Sequence, residues 1–226
     1  MEESKLFRVL SQISQNLNLY LGGDFLIYLI AKHRKVEKIH FFSQEKLKKN
    51  EYEKFIANLF RNSNIDFEFS IILSDLIHLR VEKFSIYIIY HPYKIWKELS
   101  IHEMIGEKID LGIKSLSLED SVCVKTNMLI NSQDKKETIE NALDLFFGIE
   151  NMKITQDELG RIYEFKYEIK FYEIISEIKQ RIREISEYET NFEDLGIELM
   201  KRKITKKELV DALNKYFSQA IKDHSI

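Results

Sequence analysis

The sequence predicts an α/β (α+β) fold: a mixed sheet flanked by helices over about residues 1–148, then a helical domain over about 149–226. Three observations predict it. The runs VEKIHFF, LIHLRV and KFSIYIIY, between residues 35 and 90, alternate or cluster β-branched and aromatic residues as strands do. The run QEKLKKNEYEKFIANLF, with apolar residues at helical spacing, separates the first of them from the other two. From Ser117 onward the strand-like runs stop. Three helix-start patterns follow there: Ser117 with Asp120, Thr155 with Glu158, and Thr205 with Glu208. The strands end at about residue 114, which is the earliest place for the domain boundary.

Each element follows in order. Leu6, Leu10 and Ile13 define a helix over 4–16, and NLYLGG reads as a strand closing at Gly22 and Gly23. A helix over 24–34 comes next, with Phe25, Tyr28 and Leu29 on one face and Lys32, His33 and Arg34 at its C-terminal end, where cations suit the dipole. VEKIHFF is a strand, and Ser43 is placed to cap the charged helix QEKLKKNEYEKFIANLF. IDFEFSIIL, LIHLRV and KFSIYIIYHP supply three more strands, the last closed by Pro92. Ile162, Phe165, Ile169, Tyr172, Ile178, Ile182 and Ile185 predict a long amphipathic helix over about 156–189.

Composition bounds the function. The 226 residues are 44% hydrophobic and 31% charged, which suits a globular chain rather than a disordered one. A net charge of −3 gives no global field to capture nucleic acid, so any such binding rests on a local patch. The one cysteine, Cys123, cannot form an intramolecular disulfide and reads as a small core residue. Apolar runs such as FLIYLIA are far short of the roughly 20 residues of a membrane span, and MEESKLF lacks the features of a signal peptide. The expectation is a cytoplasmic protein with no membrane partner.

The stretch YLGGDFLIYLIAKHRKVEKIHFF resembles the opening of the AbiEii-type nucleotidyltransferase-like family of abortive-infection and toxin–antitoxin toxins. That family reads LAGGTALAL, then HR, then S-x-D-x-D-F-F. YHPYKIW is similar to its strand end before a Tyr-Pro turn, and SLEDSVCVKTNMLINSQDKKETIE to its SLED–MKLN–KKDxxD block. The three matches occur in the family's order and cover roughly residues 17–147.

The resemblance implies a nucleotidyltransferase-like sheet in which two carboxylates at i and i+2 and a third on a neighbouring strand hold Mg²⁺. Here the pair falls on Lys38 and His40 and the third on Tyr87, while Val36 replaces the family serine and Asp24 the Thr after Gly22 and Gly23. A charged ammonium cannot ligate Mg²⁺, which prefers oxygen to imidazole. The implied site is therefore degenerate: no Mg²⁺ is expected, and catalytic residues remain unassigned. The resemblance still gives nucleotide-facing roles to Gly22, Gly23, Asp24, Lys38, His40, Tyr87, Lys125 and Lys136, with a nucleoside triphosphate as the ligand and Glu137 and Glu140 replacing the usual aspartates.

Other motifs have plainer readings. Arg34 and His40 match a toxin-ribonuclease spacing but straddle a helix end and a strand. Asp66 and Glu68 alternate with Phe67 and Phe69 as the wet face of a strand. The basic runs 46–49 and 201–207 are solvated faces unless they converge with Lys32, His33 and Arg34 into a groove for RNA. The expected function is thus a degenerate family member binding nucleotide, RNA, or a protein such as an antitoxin. The alternatives are an active nucleotidyltransferase modifying RNA or protein, and an interaction or oligomerisation protein working through its C-terminal helices.

Overall fold

The computed structural model describes residues 3–101 and 112–218, with side chains from Phe7 onward. The chain divides into two compact units, one of Met1–Leu26 and Val36–Ser117, the other of Ile27–Lys35 and Leu118–Ile226. The mixed α/β class expected from the sequence is present, and among the described residues no helix is long and apolar enough to cross a membrane.

The first unit holds α1 (Glu3–Asn16), β1 (Tyr20–Gly22), the start of α2 (Gly23–Ala31), β2 (Lys38–Ser43), α3 (Lys49–Asn62), β3 (Glu68–Ile72), β4 (Leu76–Val81), β5 (Phe84–Tyr90), β6 (Glu98–Ser100) and β7 (Lys114–Leu116). The strands form one sheet in the order β3-β4-β5-β2-β1-β7-β6. β2–β5 and β1–β7 are parallel and the other pairs antiparallel. Period-two alternation gives the sheet one apolar face, on which the rows Leu79–Ile86–Ile39 and Ile77–Ile88–Phe41 are wholly buried. Each such side chain contributes about 1.5–3 kcal/mol by leaving water. Phe84, on the same face, meets Phe25 of α2 edge-on, and Phe25 meets Phe7 of α1. The opposite face carries Lys38, His40, Ser85, Tyr87, His78 and Arg80.

Ser43 does not cap a helix. It ends β2 and its hydroxyl donates to Glu45 O at 2.7 Å, while α3 starts at Lys49 after Lys48, which makes no side-chain cap. The serine competes for local backbone groups as a turn residue, and the basic stretch before Lys49 stays outside the helix.

The second unit holds the end of α2, then α4 (Leu118–Ile130), α5 (Lys135–Met152), α6 (Gln156–Tyr167), α7 (Phe171–Glu187) and α8 (Lys206–Phe217). Residue 148, the expected domain boundary, lies inside α5. A Cβ at Gly148 would stand 2.6 Å from Val122 Cγ2, so the glycine lets α5 approach α4 closely. Thr155 and Thr205 form capping boxes with Glu158 and Glu208 at the starts of α6 and α8.

The long helix expected over 156–189 is two. Glu168 turns left-handed at φ 58°, and Glu164 holds the break, its carbonyl accepting from the Glu168 N–H and its carboxylate from the Phe171 N–H. The break changes the phase of the apolar stripe. Ile162, Ile178, Ile182 and Ile185 are buried as expected, but Phe165, Ile169 and Tyr172 are 41%, 42% and 59% exposed.

Candidate functional site

In the first unit, β1 runs into α2 through Gly22 and Gly23. Gly23 adopts φ 65°, a left-handed conformation that costs an L side chain about 1–2 kcal/mol. Gly22 is needed for space: a Cβ there would meet Leu116 Cδ1 at 2.8 Å and Phe42 Cε2 at 2.9 Å. The turn leaves the N-terminus of α2 directly after the strand, a geometry that favours negative charge.

The register across the sheet aligns Gly22 of β1, His40 of β2, Tyr87 of β5 and His78 of β4 in one row. Their rings stack, with His40 and Tyr87 centroids 5.1 Å apart and Tyr87 and His78 4.3 Å apart at 2°. Lys38, two residues before His40, shares that face and is half-buried. Asp24, in the first turn of α2, places Oδ1 3.5 Å from His40 Nδ1, and both residues are buried. So Gly22, Gly23, Asp24, Lys38, His40 and Tyr87 all fall on this turn and the face beside it. His78 was not foreseen; it is buried, and its Nε2 has no hydrogen-bond partner among the described residues. Burial, and then the charge of Arg80, lower its pKa, which favours the neutral ring.

This donor set does not suit Mg²⁺. The turn and the face beside it offer Lys38, His40 and Tyr87 with one carboxylate, Asp24, whose Oδ1 lies 3.5 Å from His40 Nδ1.

Lys125 and Lys136 lie in the second unit. Lys125 is fully buried on α4, its ammonium 2.8 Å from Asp144 Oδ2 and donating to Asn141 Oδ1 at 2.8 Å. Asn141 donates onward to Ser132 at 3.0 Å. Lys136 is exposed in the first turn of α5.

Asp144 is the hub of this second constellation. Arg34 Nε donates to Oδ1 and Nη2 to Oδ2, both at 2.8 Å, and His33 Nε2 lies 2.7 Å from Oδ1. Arg34 Nη1 also stands 3.8 Å from Glu140 Oε1. Burial alone would push the Asp144 carboxyl up. The charges of Arg34 and Lys125, with hydrogen bonds from His33 and Arg34, outweigh it and hold the group well below the usual carboxylate range. His33 and Arg34 therefore face inward rather than lining an RNA groove. A second buried pair joins Lys166 to Asp120 at 2.8 Å, and Cys123 is fully buried, as expected for a core residue.

Asp144 was not foreseen, although a signal existed. A carboxylate inside the apolar run ALDLFF, like the lysine inside SVCVKTNMLI, must find an opposite charge if the helices are buried. No protein-family model matches the chain, and no curated protein matches it significantly.

Proposed function

We propose that the chain is a degenerate nucleotidyltransferase-like protein that binds an anionic ligand, a nucleotide or RNA, at the Gly22–Gly23 turn without metal-dependent transfer. One observation carries the reading: Gly22, His40 and Tyr87, matched to the family's motifs far apart in sequence, are direct neighbours in one row of the sheet. A transfer site concentrates carboxylates that repel phosphate until a cation offsets them. Here Lys38 supplies positive charge on the same face and the helix N-terminus supplies N–H groups. Phosphate is then attracted directly.

Calorimetric titration of ATP, CTP, GTP and UTP, each with Mg²⁺ and with EDTA, tests this on wild type and Lys38→Ala. Binding in EDTA that weakens with salt and falls in Lys38→Ala is expected. Binding that requires Mg²⁺, or transfer of label to RNA, would overturn it.

A second reading, an interaction protein, is favoured by the exposure of Phe165, Ile169 and Tyr172 within eight residues of sequence at the α6–α7 break. Light scattering of wild type and Tyr172→Ser separates them, since self-association through this corner would weaken in the variant.

A further inference from the structure

Residues 32–35, which follow α2, run antiparallel to residues 198–201 in the second unit. The Lys35 N–H donates to Glu198 O at 2.9 Å, the Met200 N–H to His33 O at 2.8 Å, and the Lys201 N–H to Lys32 O at 3.3 Å, with Arg34 opposite Leu199. This ribbon joins two basic runs remote in sequence, KHRK and KRKITKK. Arg34 turns inward to Asp144, whereas Lys35, Lys201, Arg202, Lys203 and Lys207 are exposed. Arg202 is paired with Glu150. Among the described residues Lys201, Lys203 and Lys207 enter no ion pair. Lys32 and Lys201 stand opposite each other in the ribbon, the Lys32 ammonium lying over the Tyr28 ring at 4.5 Å.

Beside the ribbon lies a cavity of about 610 Å³, lined by Phe192, Ile197 and Ile204, by Lys203 and Lys206, and by Glu193 and Glu198. That volume is in the range of small-ligand pockets. Surface cations beside a pocket with both apolar walls and carboxylates suit a chain with regularly spaced phosphates and unstacked planar bases, whose N–H edges the carboxylates can accept. A stacked duplex could not offer a base to the pocket, and an acidic peptide carries no such base at each charge.

We propose that this face of the helical unit binds single-stranded nucleic acid, with phosphates along Lys35, Lys201, Lys203 and Lys207 and one base in the cavity. The proposal uses no residue of the first unit and does not rest on the Gly22–Gly23 reading.

Fluorescence anisotropy of the whole chain tests it, using a labelled single-stranded RNA, the DNA of the same sequence, the corresponding duplex, and polyglutamate. The RNA and DNA arms separate the two sources of the shared chemistry. Four phosphate contacts give a slope of log K against log salt of about −3. Lys201→Gln/Lys203→Gln/Lys207→Gln should weaken binding about a hundredfold at 0.1 M salt and flatten that slope, since three contacts are lost. Asn191→Trp, which fills the cavity from an exposed position, should weaken binding with the slope retained. Lys46→Gln/Lys48→Gln/Lys49→Gln, in the other unit, should leave binding unchanged. Absence of binding by wild type, an unchanged affinity in the ribbon variant, an equal loss in the Lys46 series, or duplex or polyglutamate binding as tight as the single strand would each overturn the proposal.

Discussion

Arg34 and Asp144 form a two-point ion pair in the interior of the helical unit, Nε to Oδ1 and Nη2 to Oδ2 at 2.8 Å, across 110 residues of sequence. The pair fastens the end of α2 to α5, and Lys125 and His33 complete the shell around the same carboxylate. Four nitrogens of three side chains thereby meet two oxygens in an environment where none of these groups could remain alone.

Asp144→Ala should cost about 3–5 kcal/mol, because it strands the buried charges of Arg34 and Lys125. Denaturant unfolding followed by circular dichroism checks this. The folded carboxyl titrates well below its unfolded value, so its stabilisation is complete above the unfolded value of about 3.9 and is lost as pH falls from there through the folded value. The wild-type stability curve should therefore steepen below pH about 4, and the variant should lack that component.

His78 gives a separate acid-sensitive contribution. Its folded pKa is lowered by burial and by Arg80, so the unfolded chain takes up the proton first. Stability from the neutral ring is full above pH about 6.5 and declines as pH falls toward the folded value. In NMR titration its imidazole should titrate below pH about 6.5, and His78→Phe should remove the corresponding slope below that pH.

Ile178 and Tyr172 lie on consecutive turns of α7 yet should respond oppositely to the same change. Ile178 is fully buried and Tyr172 is 59% exposed. Ile178→Asp should destabilise by several kcal/mol, about 3 or more, by placing an unpaired charge in the core. Tyr172→Asp should stay within about 0.5–1 kcal/mol. Thermal melts of the two variants decide the matter; equal losses would refute the placement of the helix break at Glu168.

Gly22 and Gly23 should resist alanine for different reasons. Gly22→Ala drives a methyl into Leu116 and Phe42, costing about 1–3 kcal/mol. Gly23→Ala meets only His40 Nδ1, at 3.4 Å, and should cost about 1–2 kcal/mol through its left-handed φ. Adding Leu116→Val should relieve part of the first, the contact with Phe42 remaining, and leave the second unchanged in a denaturant series.

Much of this architecture was legible because it rests on local rules. The strand runs at β2, β4 and β5 announced themselves by alternation, and the capping boxes at Thr155 and Thr205 by spacing alone. The neighbour relation of Gly22, His40 and Tyr87 was legible only through the family resemblance, since strand order is a long-range property. The helix break at Glu168 was hidden because no glycine or proline marks it; the carboxylate of Glu164, seven residues before Phe171, accepts from the Phe171 N–H and holds the turn. His78 was hidden for a similar reason: LIHLRV reads as a strand whatever lies across it, and only the register against Tyr87 gives the imidazole its stacked position. The roles of Lys125 and Asp144 depend on contacts more than ten residues apart, which periodicity does not encode.

The antiparallel ribbon of residues 32–35 with 198–201 has a consequence for the order of assembly. As the chain emerges from a ribosome, the last turns of α2 and residues 32–35 appear long before α5 and the 198–201 segment with which residues 32–35 pair. Ile27, 1% exposed in the finished structure, and the inward-turned Arg34 must wait for partners synthesised much later, and closing so long a loop slows the search. A nascent chain halted before α5 would therefore display an apolar helix end beside uncompensated cations, a natural site for a holding chaperone, and cutting the gene at the sheet's last strand would leave both halves incomplete.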